Sequence, residues 1–226
     1  MITIYHASDL HVRTSILGYI NNRRVQSLLE KISHYHNTHC ASDTAAAILT
    51  GDLTDEGKAG EYTKLQTYLA AIDPRITVRV VPGNHDNGSG IGFSRQSAVS
   101  FDQLAVNMGF DPQFINKYNK GYPGYEPYSE KFTDSTGTTS VLVVYLNSCC
   151  EDGKEDFATG TIGMYQLNCL EKVLAERGDI PCILCLHHKP VDRAWPQFVM
   201  DLATEDRKAI VYLVKKYNVG AILSGH

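Results

Sequence analysis

Residues that bind metal ions recur in short motifs along this sequence, each placed directly after an apolar run. The motifs are Asp9-Leu10-His11, Gly51-Asp52, Gly83-Asn84-His85-Asp86, His187-His188 and Gly225-His226. Carboxylate, amide and imidazole groups together suit borderline divalent ions such as Mn²⁺, Fe²⁺, Zn²⁺ or Co²⁺, whereas Ca²⁺ prefers oxygen ligands alone. If the fold gathers these motifs, they provide the ligands for two metal ions.

The apolar runs in the first half of the chain predict strands that alternate with helices. We predict strands at Thr3–Ala7, Ala45–Thr50 and Ile76–Val81, and helices at Asn22–His39 and Ala59–Ile72. This alternation favours parallel strands covered by helices on both faces. Ligands of such sheets bind beyond the carboxyl ends of the strands, which is where the motifs fall.

The second half of the chain is predicted to add an antiparallel pair of strands before the alternation returns. The predicted strands are Glu130–Thr133, Ser140–Leu146, Cys182–Leu186 and Val219–Leu223. The predicted helices are Met164–Glu176 and Thr204–Tyr217, with Thr204 as the N-cap of the second. The turn-forming residues at 134–137 join the first two strands and favour their antiparallel pairing.

The segment from about 90 to 128 is predicted to be an irregular loop or a small cap. Phe101–Met108 has a helical pattern, and the residues after it are rich in Tyr, Phe, Gly and Pro. Aromatic residues are enriched in packed loops and at interfaces. The segment therefore forms a packed loop, or a cap that faces the substrate or joins a homodimer.

Composition narrows the class of protein. The chain has 226 residues, of which 43% are hydrophobic, enough for one domain that covers 1–226. Its net charge of −4 and the lack of a dense Lys/Arg run argue against a nucleic-acid polymer or a membrane as partner. The sequence has no signal-peptide pattern and no apolar run near the ~18 residues of a membrane span. Cys182 and Cys185 fit a C-x-x-C, but they lie inside an apolar run, and the cysteines form no convincing zinc or disulfide pattern. We therefore expect a cytoplasmic protein whose cysteines are buried, reduced thiols.

The motifs, in this order, resemble those of the calcineurin-like metallophosphoesterases. Leu146-Asn147-Ser148, followed by Gly160 and Tyr165-Gln166-Leu167, is similar to a stretch of the class III cyclic-nucleotide and glycerophosphodiester phosphodiesterase branch. Leu186 to Val191 is also similar, although Lys189 replaces a more common proline. The resemblance implies an α/β protein, a four-layer α/β/β/α sandwich with two mixed sheets.

The resemblance also implies roles for individual residues. Asp9 and His11 bind the first metal, and Asp52 bridges both metals. The second metal is bound by Asn84, His187 and His226. His187 is favoured over His188 as the ligand because family members keep the ligand three positions before the proline, here Pro190.

The residues around the metals receive roles in the same way. His85 matches the catalytic histidine of the family, and Asp55 is placed to orient it by accepting a proton from its far nitrogen. His188 lies behind the ligands or faces the substrate. Arg13 either contacts the phosphate or is simply exposed to solvent.

The implied chemistry is hydrolysis of a small phosphodiester, such as a cyclic nucleotide or a glycerophosphodiester, by a hydroxide that bridges two metals. A phosphomonoesterase is the nearest alternative. A catalytically impaired binding scaffold with the same fold is the alternative from another class.

The family's last motif is Gly-His-x-His, whose final histidine completes the first metal site, whereas this sequence ends at His226. The strands that follow in the family are also missing. We expect a shortened form of a longer protein. The alternative is a natural truncation in which Asp9, His11 and Asp52 alone hold the first metal.

Overall fold

The computed structural model describes residues 1–15, 18–110, 126–149, 158–190 and 201–226. The first sheet contains β1 (Ile2–Ala7), β2 (Thr44–Thr50) and β3 (Ile76–Val81) in that order, all parallel. The crossovers between them contain α1 (Tyr19–His39) and α2 (Ala59–Leu69). This confirms the parallel strands that the alternation predicts, and within the described residues the sheet lacks the antiparallel strand that the family resemblance implied.

The second sheet is mixed, as expected, and has the order β4-β5-β6-β7. Its strands are β4 (Tyr128–Thr133), β5 (Ser140–Tyr145), β6 (Cys182–Cys185) and β7 (Ala221–Leu223). β4 and β5 pair antiparallel, which confirms the predicted hairpin-like pair, and the other pairs are parallel. The connections to β6 and β7 contain α4 (Gly163–Glu176) and α5 (Thr204–Lys216), numbered after α3 (Arg95–Asn107).

Alternation along β5 shows how the layers stack. Val143 and Tyr145 pack in a core with the first sheet, α1 and α2. Val144, between them, packs in a second core with α4 and α5. Successive side chains of a strand point to opposite faces, so the second sheet lies between these two cores. The result is the expected α/β/β/α sandwich of four layers.

Two local predictions about helices differ from the structure. The segment at 90–128, expected to be largely irregular, contains α3, which begins at Arg95, well before the predicted Phe101. The Ser94 hydroxyl caps this helix by accepting a hydrogen bond from the Ser97 N–H. The predicted loop or dimer-forming cap lies mainly at 111–125, outside the described residues.

The predicted N-cap at Thr204 is wrong. Ala203 occupies the N-cap position of α5, and no side chain caps this end. The nearby Asp206 carboxylate instead accepts hydrogen bonds from the Ile162 and Gly163 N–H groups, at 2.7 and 3.2 Å, where α4 begins. Asp206 therefore ties the starts of two helices together.

No disulfide joins the cysteines that the structure describes. Cys149, Cys182 and Cys185 are buried, whereas Cys40 and Cys169 are only partly buried. Burial raises the pKa of the Cys182 thiol to about 11, which keeps it protonated. Among the described helices, none is both long enough and apolar enough to span a bilayer.

Candidate metal centre

The strand ends bring the predicted ligands to one edge of the molecule. Each ligand of the core set lies two or three residues beyond the end of a parallel strand. These residues are Asp9 after β1, Asp52 after β2, Asn84 after β3, His187 after β6 and His226 after β7. The site is thus built from the carboxyl ends of both sheets, where α/β proteins bind ligands.

The backbone at these positions adopts a conformation that most residues avoid. Asp9, His11, Asp52 and His226 have φ angles of 55°, 45°, 50° and 67°. In the described chain only one other non-glycine residue, Asn218, has a positive φ. Such residues cost of order 1–3 kcal/mol each and cluster at functional sites. The strain therefore coincides with the predicted metal ligands.

One half of the centre forms around the ring of His187, which is fully buried. Its Nε2 lies 3.1 Å from Asn84 Oδ1, 3.1 Å from His226 Nδ1 and 3.3 Å from Asp52 Oδ2. On the other side of the ring, Nδ1 donates to the Thr50 carbonyl at 2.8 Å. This bond leaves the Nε2 lone pair for a metal ion, which is the usual arrangement of a ligating histidine.

The orientation of Asn84 supports the same conclusion. Its Nδ2 donates to the Gly90 carbonyl at 2.7 Å, so Oδ1 is the atom that faces His187. An amide oxygen, an imidazole lone pair and a carboxylate oxygen facing one another repel unless a cation or a proton lies between them. This donor set fits a divalent ion with mixed nitrogen and oxygen ligands.

Asp52 lies between the two halves of the centre. Its Oδ2 is 3.3 Å from His187 Nε2 and 3.7 Å from His11 Nε2, and its Oδ1 accepts a hydrogen bond from the His85 N–H at 3.0 Å. Two clusters of candidate ligand atoms, each within 4.8 Å, share this residue: Asp9-Asp52-His187 and His11-Asp52-His85. This is the position required of a bridging carboxylate.

The electrostatics of the centre suit cation binding. Burial alone would raise the pKa of Asp52, but hydrogen bonding and charge interaction with His187 lower it to about 2. Burial lowers the pKa of both His11 and His226, which favours their neutral, metal-binding forms. For His187 the effect of burial is outweighed by the Asp52 carboxylate, and its pKa is raised.

Asp9 connects the end of the chain to the first motif. Both of its carboxylate oxygens lie 3.1 Å from the His226 N–H, which donates to them. The side chain is otherwise exposed. Asp9 and His226 therefore hold each other at the edge shared by the two sheets.

His85 is held by the main chain of Asp55, and this differs from the expected contact. His85 Nδ1 donates to the Asp55 carbonyl oxygen at 2.6 Å, whereas the Asp55 carboxylate points elsewhere. Gly90 lies against the opposite side of the ring with φ +89°, and a Cβ there would come within 2.5 Å of His85 Nε2. The orientation of His85 is thus fixed on both sides.

His188 lies in the interior, which favours the position behind the ligands over the substrate-facing alternative. The side chain is fully buried. Its Nε2 donates to the Ala158 carbonyl at 3.2 Å, and its Nδ1 accepts from the Ser148 hydroxyl at 2.9 Å. With both ring nitrogens bound to protein, His188 supports the ligands from behind.

Arg13 contacts a protein carboxylate in the structure. Its Nη2 donates to Asp55 Oδ1 at 2.8 Å, and its Nε is buried without a hydrogen-bond partner. The sequence left phosphate contact and plain solvent exposure open for Arg13. This ion pair is a third arrangement, which was not anticipated.

Asp86, the last residue of the third motif, has a structural role in the site. It is fully buried and accepts hydrogen bonds from the Leu53, Thr54 and Gly83 N–H groups at 2.9 to 3.2 Å. These bonds join the loops that follow β2 and β3. Asp86 therefore holds the loop that carries Asn84 and His85 and leaves no oxygen directed at a substrate.

The motif around Asn147 was recognised in the sequence, but its structural role was not predicted. Gln166 Oε1 accepts from the Asn147 N–H at 2.9 Å, and its Nε2 donates to the Asn147 carbonyl at 2.9 Å. The adjacent Ser148 then holds His188. A buried glutamine within an apolar helix face was the available signal, because such a side chain must find polar partners.

A family model described as calcineurin-like phosphoesterase matches residues 2–226. The chain therefore belongs to the calcineurin-like phosphoesterase family. A probable glycerophosphodiester phosphodiesterase of Arcobacter nitrofigilis is 24% identical over 225 residues, which cover 99% of this chain and 70% of the relative. A probable cyclic nucleotide phosphodiesterase of Vesicomyosocius okutanii is 22% identical over 229 residues, covering 99% and 77%.

A solved structure supports the fold independently. Purple acid phosphatase PPD1 from yellow lupin superposes with a TM-score of 0.62 at 15% identity, covering 99% of this chain and 37% of the phosphatase. At this identity the likeness concerns the fold alone. It confirms the predicted metallophosphoesterase architecture.

Proposed function

We propose that the protein hydrolyses a small phosphodiester with the help of two divalent metal ions. The observation that carries this proposal is the position of Asp52, whose carboxylate lies between His11 on one side and His187 on the other. A shared carboxylate with further donors on each side suits a pair of adjacent cations. Family membership makes phosphoester cleavage the expected use of such a pair.

Each half of the site supplies its own ligands. Asp9 and His11 would hold the first ion, Asn84, His187 and His226 the second, and Asp52 both. When bound, two such ions lower the pKa of a water molecule to near neutrality and offset the charge of a phosphate. The protein contributes by fixing the ligand atoms before the ions bind, through Thr50 for His187 and Gly90 for Asn84.

His85 is the proposed general acid. Because Nδ1 donates to the Asp55 carbonyl, a second proton on Nε2 is the one that can move to the leaving oxygen. General acids of this kind contribute typically ~10²–10⁴-fold in rate. After the transfer, the Asp55 bond keeps the neutral ring in the same orientation.

The proposed substrate class rests on the relatives and on charge. The two relatives carry the names of a glycerophosphodiester and a cyclic nucleotide phosphodiesterase. The net charge of −4 disfavours a long polyanion, since nucleic-acid binding relies on many Lys and Arg contacts. A cyclic nucleotide or a glycerophosphodiester-like molecule fits both observations.

The test compares diester and monoester cleavage by the metal-loaded protein. We expect Mn²⁺-dependent hydrolysis of bis-p-nitrophenyl phosphate, with much slower release from p-nitrophenyl phosphate. Asn84→Ala should lose metal and activity together, whereas His85→Ala should keep the metal and lose ~10²-fold or more in turnover. His34→Ala is the matched control, because His34 is exposed on α1 and far in sequence from every motif.

Other outcomes would replace the proposal. Preferential cleavage of the monoester would indicate a phosphomonoesterase. A protein that binds two ions but cleaves neither compound would indicate a binding scaffold. Activity that survives in Asn84→Ala would show that the assigned centre is not the active site.

A further inference from the structure

The ring of His11 lies between two carboxylates, and only one of them belongs to the proposed bridging group. His11 Nε2 faces Asp52 Oδ2 at 3.7 Å, while Nδ1 lies 3.5 Å from Asp55 Oδ1. Nδ1 is buried, and no group among the described residues forms a hydrogen bond with it. A small approach of Asp55 would therefore complete a hydrogen bond that the ring otherwise lacks.

Asp55 Oδ1 is held in place from its other side. Arg13 Nη2 donates to the same oxygen at 2.8 Å, a charge-assisted hydrogen bond. The main chain of Asp55 is fixed separately, because its N–H donates to the Val12 carbonyl at 3.2 Å and its carbonyl accepts from His85. The remaining freedom of Asp55 is the rotation of its carboxylate, and Arg13 restricts that rotation.

Arg13 is itself well anchored. The Asn22 side chain accepts from the Arg13 N–H at 3.0 Å and donates to the Arg13 carbonyl at 2.7 Å. Lys64 of α2 donates to the same carbonyl at 3.0 Å. Asn22 is buried at the first turn of α1, so the backbone of Arg13 is fixed to both helices.

From these contacts we infer that Arg13 is a positioning residue, which directs the Asp55 carboxylate towards His11 and so strengthens the first metal site. The inference rests on the proposed metal-dependent function. A carboxylate that accepts from Nδ1–H leaves the lone pair on Nε2, the nitrogen that faces Asp52. Loss of such a supporting partner typically weakens metal binding ~10–100-fold.

The test measures Mn²⁺ binding by calorimetry after removal of metal with a chelator. His11→Ala first identifies the binding phase that belongs to the first site. We expect Arg13→Ala to weaken that phase ~10–100-fold and to leave the other phase unchanged. Arg13→Lys should recover part of the loss, since lysine keeps the charge but not the fixed fork of donors.

Two controls separate positioning from general damage. Arg24→Ala removes the same charge from an exposed site on α1 and should leave both phases unchanged. The thermal midpoint of the metal-free Arg13→Ala protein should equal that of wild type, whereas a merely structural role would lower it. In an Asp55→Ala background, Arg13→Ala should cause no further loss, because the two residues act as one unit.

Three results would overturn the inference. The first is Mn²⁺ binding by Arg13→Ala that equals wild type, and the second is a wild-type protein without a His11-dependent phase. The third is an Arg13→Ala loss that persists undiminished in the Asp55→Ala background. By contrast, suppose that Arg13→Ala loses Mn²⁺ affinity as expected but the wild-type protein cleaves no phosphoester. That result would refute the proposed function and leave this inference standing.

Discussion

Replacing Gly51 by alanine should damage both the fold and the metal centre. Gly51 has φ +84°, a region that L-residues adopt at a cost of roughly 1–2 kcal/mol. A Cβ there would also lie 2.6 Å from His187 Nδ1 and 2.7 Å from the Gly83 backbone nitrogen. Overlap of this kind in a packed site costs typically ~1–3 kcal/mol. We therefore expect Gly51→Ala to destabilise the metal-free protein by roughly 2–5 kcal/mol.

Gly137→Ala separates the two contributions. Gly137 has φ +73°, but no atom lies within 4 Å of the position a Cβ would occupy. This variant should therefore pay only the backbone cost, about 1–2 kcal/mol. Urea unfolding of both variants, without metal, gives the clash at Gly51 as the difference between them.

The clash should also be visible in metal binding. Displacing the His187 ring breaks its bond to the Thr50 carbonyl, so affinity for Mn²⁺ should fall ~10–100-fold in Gly51→Ala and remain unchanged in Gly137→Ala. Equal destabilisation of the two variants, together with unchanged Mn²⁺ affinity in both, would refute the close packing on which this reasoning depends.

Three further predictions concern single side chains. Burial raises the pKa of Asp102 from 3.8 to about 7, so folding favours its protonated form and stability is lost as pH rises between these values. Asp102→Asn should therefore add about 1–3 kcal/mol at pH 8, below a ceiling of about 4 kcal/mol, and no more than about 0.6 kcal/mol at pH 4, as chemical unfolding at both pH values would show. Ser148→Ala should cost about 1–3 kcal/mol in urea unfolding, because His188 Nδ1 loses its donor; a change within experimental error would contradict the contact. Ser94→Ala should lower the free energy of unfolding by about 1 kcal/mol, and Thr204→Ala by less than about 0.5 kcal/mol, because only Ser94 caps its helix. A larger loss for Thr204→Ala in thermal unfolding would show that Thr204 is a cap after all.

The strands and the ligand positions could be predicted because both leave a local pattern in the sequence. Apolar runs such as Ala45–Thr50 stop where a buried strand meets polar motif residues, and the structure places β2 at Thr44–Thr50. Parallel strands then bring their carboxyl ends together without further information. Hence Asp9, Asp52 and Asn84 could be expected at one edge before any contact between them was known.

The partners of His85, the proposed general acid, could not be predicted in the same way. The group that holds His85 is the carbonyl oxygen of Asp55, and every residue has such an oxygen, so no residue type marks it. The burial of His188 depends likewise on Ser148 and Ala158, which come close only after the second sheet has formed. The parallel arrangement of the first sheet, by contrast, could be predicted, because helices that alternate with strands make the crossovers which parallel pairing requires.

The geometry of the first two motifs follows from hydrogen bonds that continue beyond the strands. The Asp9 N–H donates to the Gly51 carbonyl, His11 to Asp52 and Val12 to Leu53, at 2.9 to 3.0 Å. These bonds extend the β1–β2 ladder through residues with positive φ, so the strained backbone is fixed by its neighbour. These main-chain contacts therefore set the direction in which the side chains of Asp9, His11 and Asp52 leave the backbone. Binding of a cation then need not order these loops, and more of its binding free energy remains for holding and polarising a phosphate.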